Sequence, residues 1–204
     1  MTIDLKSGQA SPYGELTPEA WFDQQFTRKM ADYQAKKIPR LSMLVSKGTL
    51  DWAYVTFIIS STAAAMNWKA SVFFTFYGLS LLKKELHPDI SALGNPAMPM
   101  KMPFGPDWFR NVEWNMPNLV MAGVPGFEKV ATGLMKKTLA QKGVAPIEEL
   151  RQTAVDAGVE FIACQMTVDL FGWKKEDFMP GIADWAGAAT YLSKARDADV
   201  TLFI

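Results

Sequence analysis

The sequence predicts one α/β domain, built on an open, doubly wound and mainly parallel sheet of four or five strands, with an added N-terminal helix. Three observations predict it. Short apolar runs rich in β-branched and aromatic residues recur at 41–46, 70–76, 159–163 and 199–204, each the length of a buried parallel strand. Segments with apolar residues at helical spacing separate these runs, which is the grammar of βαβ units. The 204 residues, 49% of them hydrophobic, suffice for one large core and not for two comfortable ones.

Taken in order, residues 1–14 read as a flexible lead, and Thr17-Pro18-Glu19 opens a helix by the N-cap and proline-at-N1 rule. Trp21, Phe22, Phe26, Met30 and Tyr33 form its apolar stripe against an Asp/Gln/Arg/Lys face, and Pro39 ends it. Residues 1–40 are therefore set apart from an α/β domain over 41–204. The strand at 41–46 leads through the loop Lys47-Gly48-Thr49-Leu50 to Asp51, which is positioned to cap a helix running to about Met66. After the strand at 70–76, Gly78 marks a turn into a short helix ending near Lys84.

Residues 52–82 carry one charge, Lys69, and a hydropathy window finds one or two membrane spans there. The uncharged part, 52–68, falls short of the ~20 apolar residues of a spanning helix and contains Ser60, Ser61, Thr62 and Asn67. A buried helix followed by a buried parallel strand accounts for the same composition. From His87 to about Pro117 regular patterning gives way to Pro, Met, Gly and Asn, as in a lid or packed surface loop. Helical spacing returns over 127–142 and 147–157, and Gly158 stops the latter. The strand at 159–163 then delivers Cys164 at its C-terminal end. A short strand or turn begins near Ile182, a helix spans 185–195, and the strand at 199–204 closes the chain.

Twenty-one basic and 21 acidic residues leave no net charge, and no basic face marks a nucleic-acid binder. One cysteine cannot form an internal disulfide, and the polar start shows no signal peptide. Both point to a reducing, cytoplasmic compartment. A single thiol also removes CxxC redox pairs and cysteine-rich zinc sites, and a single histidine, His87, removes a histidine cage.

Cys164 is the first candidate for chemistry. A helix capped by Thr167 would place the thiol near unbonded backbone N–H groups, which stabilise a thiolate; buried packing is the competing role for such a cysteine. The loop Ser46-Lys47-Gly48-Thr49-Leu50-Asp51 occupies the first βα turn, where anions bind in doubly wound folds. It matches neither dinucleotide nor P-loop motifs, and an ordinary turn and cap explains it better. This turn and Cys164 belong on the same sheet edge. The thioethers of Met98-Pro99-Met100-Lys101-Met102-Pro103 suit Cu(I), yet copper motifs need more soft ligands, and a hydrophobic lid or subunit contact fits better. No metal or cofactor is expected. His87 reads as a solvent-facing loop residue.

VSKGTLDWAY, FFTFYGLSLLKK, LGNPAMPMKMP, IACQMTVDLFGW and GAATYL, in this order, resemble the DsrE/DsrF-like family, in its longer branch that carries a peroxiredoxin-like label. The resemblance runs from about Leu41 to Ile204. It implies a flavodoxin-like fold, homo-oligomers, and the handling of sulfane sulfur on a cysteine as a persulfide. Cys164 matches the cysteine of the family's Cys-Gln-Met segment, while a peroxiredoxin cycle lacks its resolving cysteine here. The implied partner is a TusA-type carrier or a rhodanese. Around Cys164 the expected substrate-contacting set is Lys47, Gly48, Thr49, Asn95, Met98, Gln165 and Thr167. Two other readings stand beside the sulfur carrier. One is a non-catalytic oligomeric scaffold, or a membrane-associated subunit, with a buried structural cysteine. The other is a small-molecule binder using the first turn and the Met-Pro lid.

Overall fold

A computed structural model describes residues 16–91, 105–112 and 123–204; the expected N-terminal lead, Asn95, Met98 and the Met-Pro run lie outside them. The chain divides into two compact units, Met1–Ile38 and Pro39–Ile204. The first contributes helix α1 (Pro18–Lys36). Its start is the one expected: Pro18 needs no N–H partner at N1, and Thr17 Oγ1 accepts from Ala20 N–H at 3.2 Å. Phe22 and Phe26, one turn apart, stack with centroids 6.3 Å apart, and no residue of α1 is buried.

The second unit is a five-stranded, wholly parallel sheet flanked by helices, consistent with a flavodoxin-like fold. Its elements are β1 (Arg40–Val45), α2 (Leu50–Ala65), β2 (Lys69–Phe74), a 3₁₀ segment (Phe76–Leu82), α3 (Asp107–Arg110), α4 (Phe127–Gln141) and α5 (Ile147–Asp156). There follow β3 (Glu160–Cys164), α6 (Gln165–Leu170), a 3₁₀ turn (Lys175–Asp177), β4 (Asp184–Ala186), α7 (Ala188–Arg196) and β5 (Val200–Phe203). The strand order is β4-β3-β2-β1-β5. Strands β1 to β4 lie side by side in chain order, and the last strand returns to the far side of β1.

Register assigns the two faces. Met43 pairs with Val72 and Val72 with Phe161, and all three are fully buried. On this face Phe57 of α2 meets Phe74 and Phe161 at 5.8–6.3 Å between centroids. On the opposite face Tyr191 of α7 packs on Phe73 at 5.6 Å. The ambiguous stretch at 52–82 is thus a helix, a buried strand and a 3₁₀ segment of the core. Among the described residues no helix is long and apolar enough to cross a membrane.

Three local expectations are corrected. Helix α2 begins at Leu50 with Thr49 as its N-cap, and Asp51 sits inside the first turn; the Leu50 N–H is satisfied by Asp89 O at 2.8 Å, so Asp51 need not cap. The second strand stops at Phe74, because Phe76 adopts φ 46°, outside any extended conformation. Trp185, expected in a helix, lies in β4 opposite Ala163, its ring edge-on to Phe178 at 5.2 Å. A three-residue strand is too short to show a period of two.

Candidate functional site

Parallel strands end on one side of the sheet, so the exits of β1, β2 and β3 converge there. Two glycines lock the first two exits together. A Cβ on Gly78 would strike Val45 O, and one on Gly48 would strike Tyr77 O and Ser80 Oγ. Gly78 N–H donates to Ser46 O at 3.1 Å, and Thr75 N–H to Val45 O at 2.9 Å. Ser46 is held in turn from β5, its N–H donating to Ile204 O at 2.7 Å. The loop after β2 is therefore fixed at backbone level beside β3.

Cys164 ends β3 and is the N-cap residue of α6, which corrects the expectation that Thr167 caps this helix. Thr167 sits at the third helical position, fully buried, and its hydroxyl reaches back across the exit of β2. Phe76 N–H donates to Thr167 Oγ1 at 3.3 Å, so the hydroxyl proton of Thr167 is left for another acceptor. Thr75 Oγ1 lies 3.2 Å from Thr167 Oγ1. Both hydroxyls, with the N–H groups of Thr167 and Met166, surround the sulfur.

The electrostatic balance follows from these donors. Burial, at 3% exposure, pushes the Cys164 thiol up, since a buried thiolate loses hydration. Hydrogen bonds from the Thr167 hydroxyl and N–H, the Thr75 hydroxyl and the Met166 N–H outweigh it and hold the thiol below its ordinary value. Exposed Phe76, Tyr77 and Met166 surround this part of the edge, with Tyr77 against Phe171 at 6.0 Å.

Of the expected set, the structure brings Thr167 to the sulfur and leaves others elsewhere. The Lys47 ammonium lies over the Trp52 ring, 3.5 Å from its centroid. Gly48 and Thr49 line a cleft of about 580 Å³ with Ser80, Lys83, His87 and Asp89, which Cys164 does not line. Gln165 Nε2 donates to Asp169 Oδ1 at 2.7 Å along α6. His87 is exposed, as expected. Thr75 and Phe76 were missed. Thr75 directly follows the second strand as Cys164 ends the third, and adjacency of those strands was the signal that could have found it. Among the described residues no group of three or more His, Cys, Asp or Glu could hold a metal ion.

Known proteins place this chain in a family. The model of the DsrE/DsrF/DrsH-like family matches residues 37–203, and the chain belongs to that family. It is similar to the protein named "Sulfur carrier protein DsrE2" of Allochromatium vinosum, 48% identical over 166 residues that make up 81% of this chain and 98% of that protein. It is also similar to "Uncharacterized protein YrkE" of Bacillus subtilis, 30% identical over 81% of this chain and 96% of that one.

Proposed function

We propose that this protein is a sulfur carrier that takes sulfane sulfur on Cys164 as a persulfide and hands it to a partner protein. The observation that carries the reading is the place of Cys164 at the N-cap of α6, beside the paired Thr75 and Thr167 hydroxyls, where hydrogen bonding holds the thiol below its ordinary value and favours the nucleophilic thiolate. The relative named as a sulfur carrier supports the same role. In the first step the Cys164 thiolate attacks the outer sulfur of a donor R–S–S⁻. The donor S–S bond breaks, R–S⁻ leaves with the electron pair, and Cys164–S–S⁻ forms without net oxidation. In the second, an acceptor thiolate attacks that outer sulfur and Cys164–S⁻ departs. Because Cys164 is the chain's one cysteine, the acceptor thiol belongs to another molecule, for which a TusA-type carrier or a rhodanese is suited. A reducing, cytoplasmic setting and a homo-oligomer complete the proposal.

Lys47, Gly48, Thr49, Asn95, Met98 and Gln165 enter as outer substrate contacts, with Thr167 as the inner one. Burial of the sulfur requires the short helix α6, or the Phe76–Tyr77 rim, to open for each transfer. The same burial favours a second reading, in which Cys164 is structural and the protein an oligomeric scaffold. Intact-mass analysis after incubation with polysulfide separates the two. The carrier gains a sulfur that dithiothreitol removes, and Cys164→Ser gains none; a thiol that resists both polysulfide and native alkylation sinks the carrier reading.

A further inference from the structure

The sheet has a second edge, where its parallel strands begin, and the face turned to α7 changes character toward it. Residues paired across parallel strands point to the same face, so register arranges this face in rows. Leu44, Phe73 and Ile162 make an apolar row, on which Tyr191 packs. Ser42, Ser71 and Glu160 make the next row, and at the strand starts Arg40 stands directly beside Lys69. Gly158, two residues before Glu160, leaves its place in that first row open, with no heavy atom within 4 Å of where a Cβ would stand. The result is a cleft of about 480 Å³, lined by Arg40, Lys69, Ser71 and Lys194, with the part-buried Trp68 as an apolar wall.

The acids of this cleft are already engaged. Glu160 holds Lys194 at 2.5 Å, and Asp197 holds Arg196 at 3.0 Å, with a weaker attraction to Arg40. The Asp199 carboxylate accepts the backbone N–H of Arg40. Among the described residues neither the Arg40 guanidinium nor the Lys69 ammonium has a hydrogen bond or ion pair. Like charges side by side on neighbouring strands are destabilising, so this pair is unfavourable until an anion joins it. Ser42 adds a second unmet demand. It is 1% exposed, stands next to Ser71 on the same face, and its Oγ has no partner. A buried hydroxyl without a partner is costly. Lys194 and Arg196 in the last turn of α7 offset the negative end of that helix.

We propose that this cleft binds a tetrahedral oxyanion of the phosphate type. The planar fork of Arg40 and the point charge of Lys69 hold it, and the serine hydroxyls donate to its remaining oxygens. Trp68 offers flat apolar surface to an organic group when the oxyanion is carried on an ester. Ligands of open α/β sheets ordinarily sit at the carboxyl ends of the strands, where Cys164 lies. This site is at the opposite ends, and it is independent of the sulfur chemistry.

Titration calorimetry on the full chain at low ionic strength, with inorganic phosphate, sulfate and adenosine monophosphate in turn, tests the site. Phosphate binds saturably at one site per chain and raises the thermal midpoint. Arg40→Gln combined with Lys69→Gln weakens binding on the order of 100-fold, from two charge-assisted contacts at about tenfold each. Lys142→Gln, which removes a charge elsewhere on the surface, binds phosphate as the parent does. Because Arg40 and Lys69 repel in the unliganded chain, the double variant has a urea midpoint in phosphate-free buffer no lower than the parent's. Tighter binding of adenosine monophosphate, lost in Trp68→Leu, assigns the oxyanion to an organic ester, and equal affinities assign it to the free ion. The proposal is overturned by the absence of saturable binding of all three anions at millimolar concentration, by an unchanged affinity in the double variant, or by an equal loss in Lys142→Gln.

Discussion

The Thr75 and Thr167 hydroxyl oxygens lie 3.2 Å apart, one on the residue directly after β2 and the other in the first turn of the helix after β3. Neither is near the other in sequence. They meet because β2 and β3 are adjacent and parallel, so their exits share one edge of the sheet. One of the two hydroxyls donates to the other, hydrogen bonding from this cluster holds the Cys164 thiol below its ordinary value, and Phe76 N–H donates to Thr167 Oγ1.

Removing one of these donors raises the Cys164 pKa toward the ordinary thiol value. In Thr167→Val the pH midpoint of alkylation by iodoacetamide moves upward relative to the parent. Loss of one hydrogen bond to a charged group is worth about 1.5 kcal/mol, which lowers the rate of sulfur uptake at neutral pH roughly tenfold. Thr75→Val acts in the same direction. An unmoved midpoint in both variants shows that the hydroxyls do not stabilise the thiolate.

The same shift links to stability. A thiol whose folded value lies below its unfolded value binds fewer protons when folded at intermediate pH, so it stabilises the fold above the unfolded value. That contribution disappears as pH falls through the folded value. Cys164→Ser, which does not titrate, therefore loses part of the parent's rise in stability across the interval below the ordinary thiol value. Urea midpoints measured at several pH values across that interval check the sign.

Gly78 and Gly48 are predicted to be intolerant of any side chain. A methyl at either would enter the volume of a backbone carbonyl, Val45 O or Tyr77 O, and backbone cannot swing aside. Gly78→Ala and Gly48→Ala each lower unfolding free energy by about 2–4 kcal/mol, seen as a shifted urea midpoint. Gly133, which has open space around its Cβ position and lies inside α4, is the control: Gly133→Ala is neutral or stabilising by ~1 kcal/mol.

Phe76 holds a left-handed φ of 46°, where a side chain costs roughly 1–2 kcal/mol. Phe76→Val, β-branched and harder to place there, lowers stability by about 1–2 kcal/mol. Phe76→Gly relieves the strain and stays within ~1 kcal/mol of the parent while slowing sulfur uptake, because the N–H aimed at Thr167 is less firmly held. A slower Phe76→Gly with unaltered thermal midpoint is the expected pair of readings.

Arg151 fastens the segment that follows the site. From α5 its guanidinium donates to Leu81 O at 3.0 Å, Lys83 O at 2.6 Å and Lys84 O at 3.4 Å, closing the end of the 3₁₀ segment. Arg151→Met strips the part-buried carbonyls of Leu81 and Lys83 of these donors and lowers stability by about 2–3 kcal/mol. Hydrogen exchange of the 76–84 amides should accelerate ahead of the sheet amides.

Legible in the sequence were the α/β class, four of the five strands to within two residues, the α1 cap at Thr17 and the placement of Cys164 at a strand end. Those features are local. Apolar runs, proline and glycine punctuation and helical spacing are written residue by residue, and a thiol after a buried run can only emerge at that run's end. What the tertiary structure decided was which exits adjoin. That Thr75 reaches Cys164 and Phe76 reaches Thr167, while Lys47 turns to Trp52 and Thr49 faces a separate cleft, follows from the order β4-β3-β2-β1-β5, which places β2 and not β1 beside β3. Strand order is set by the covering of two apolar faces by helices from distant parts of the chain, and no periodicity records it. The three-residue β4 escaped for a related reason: its identity as a strand comes from pairing with β3 and the packing of Trp185, not from any pattern of its own.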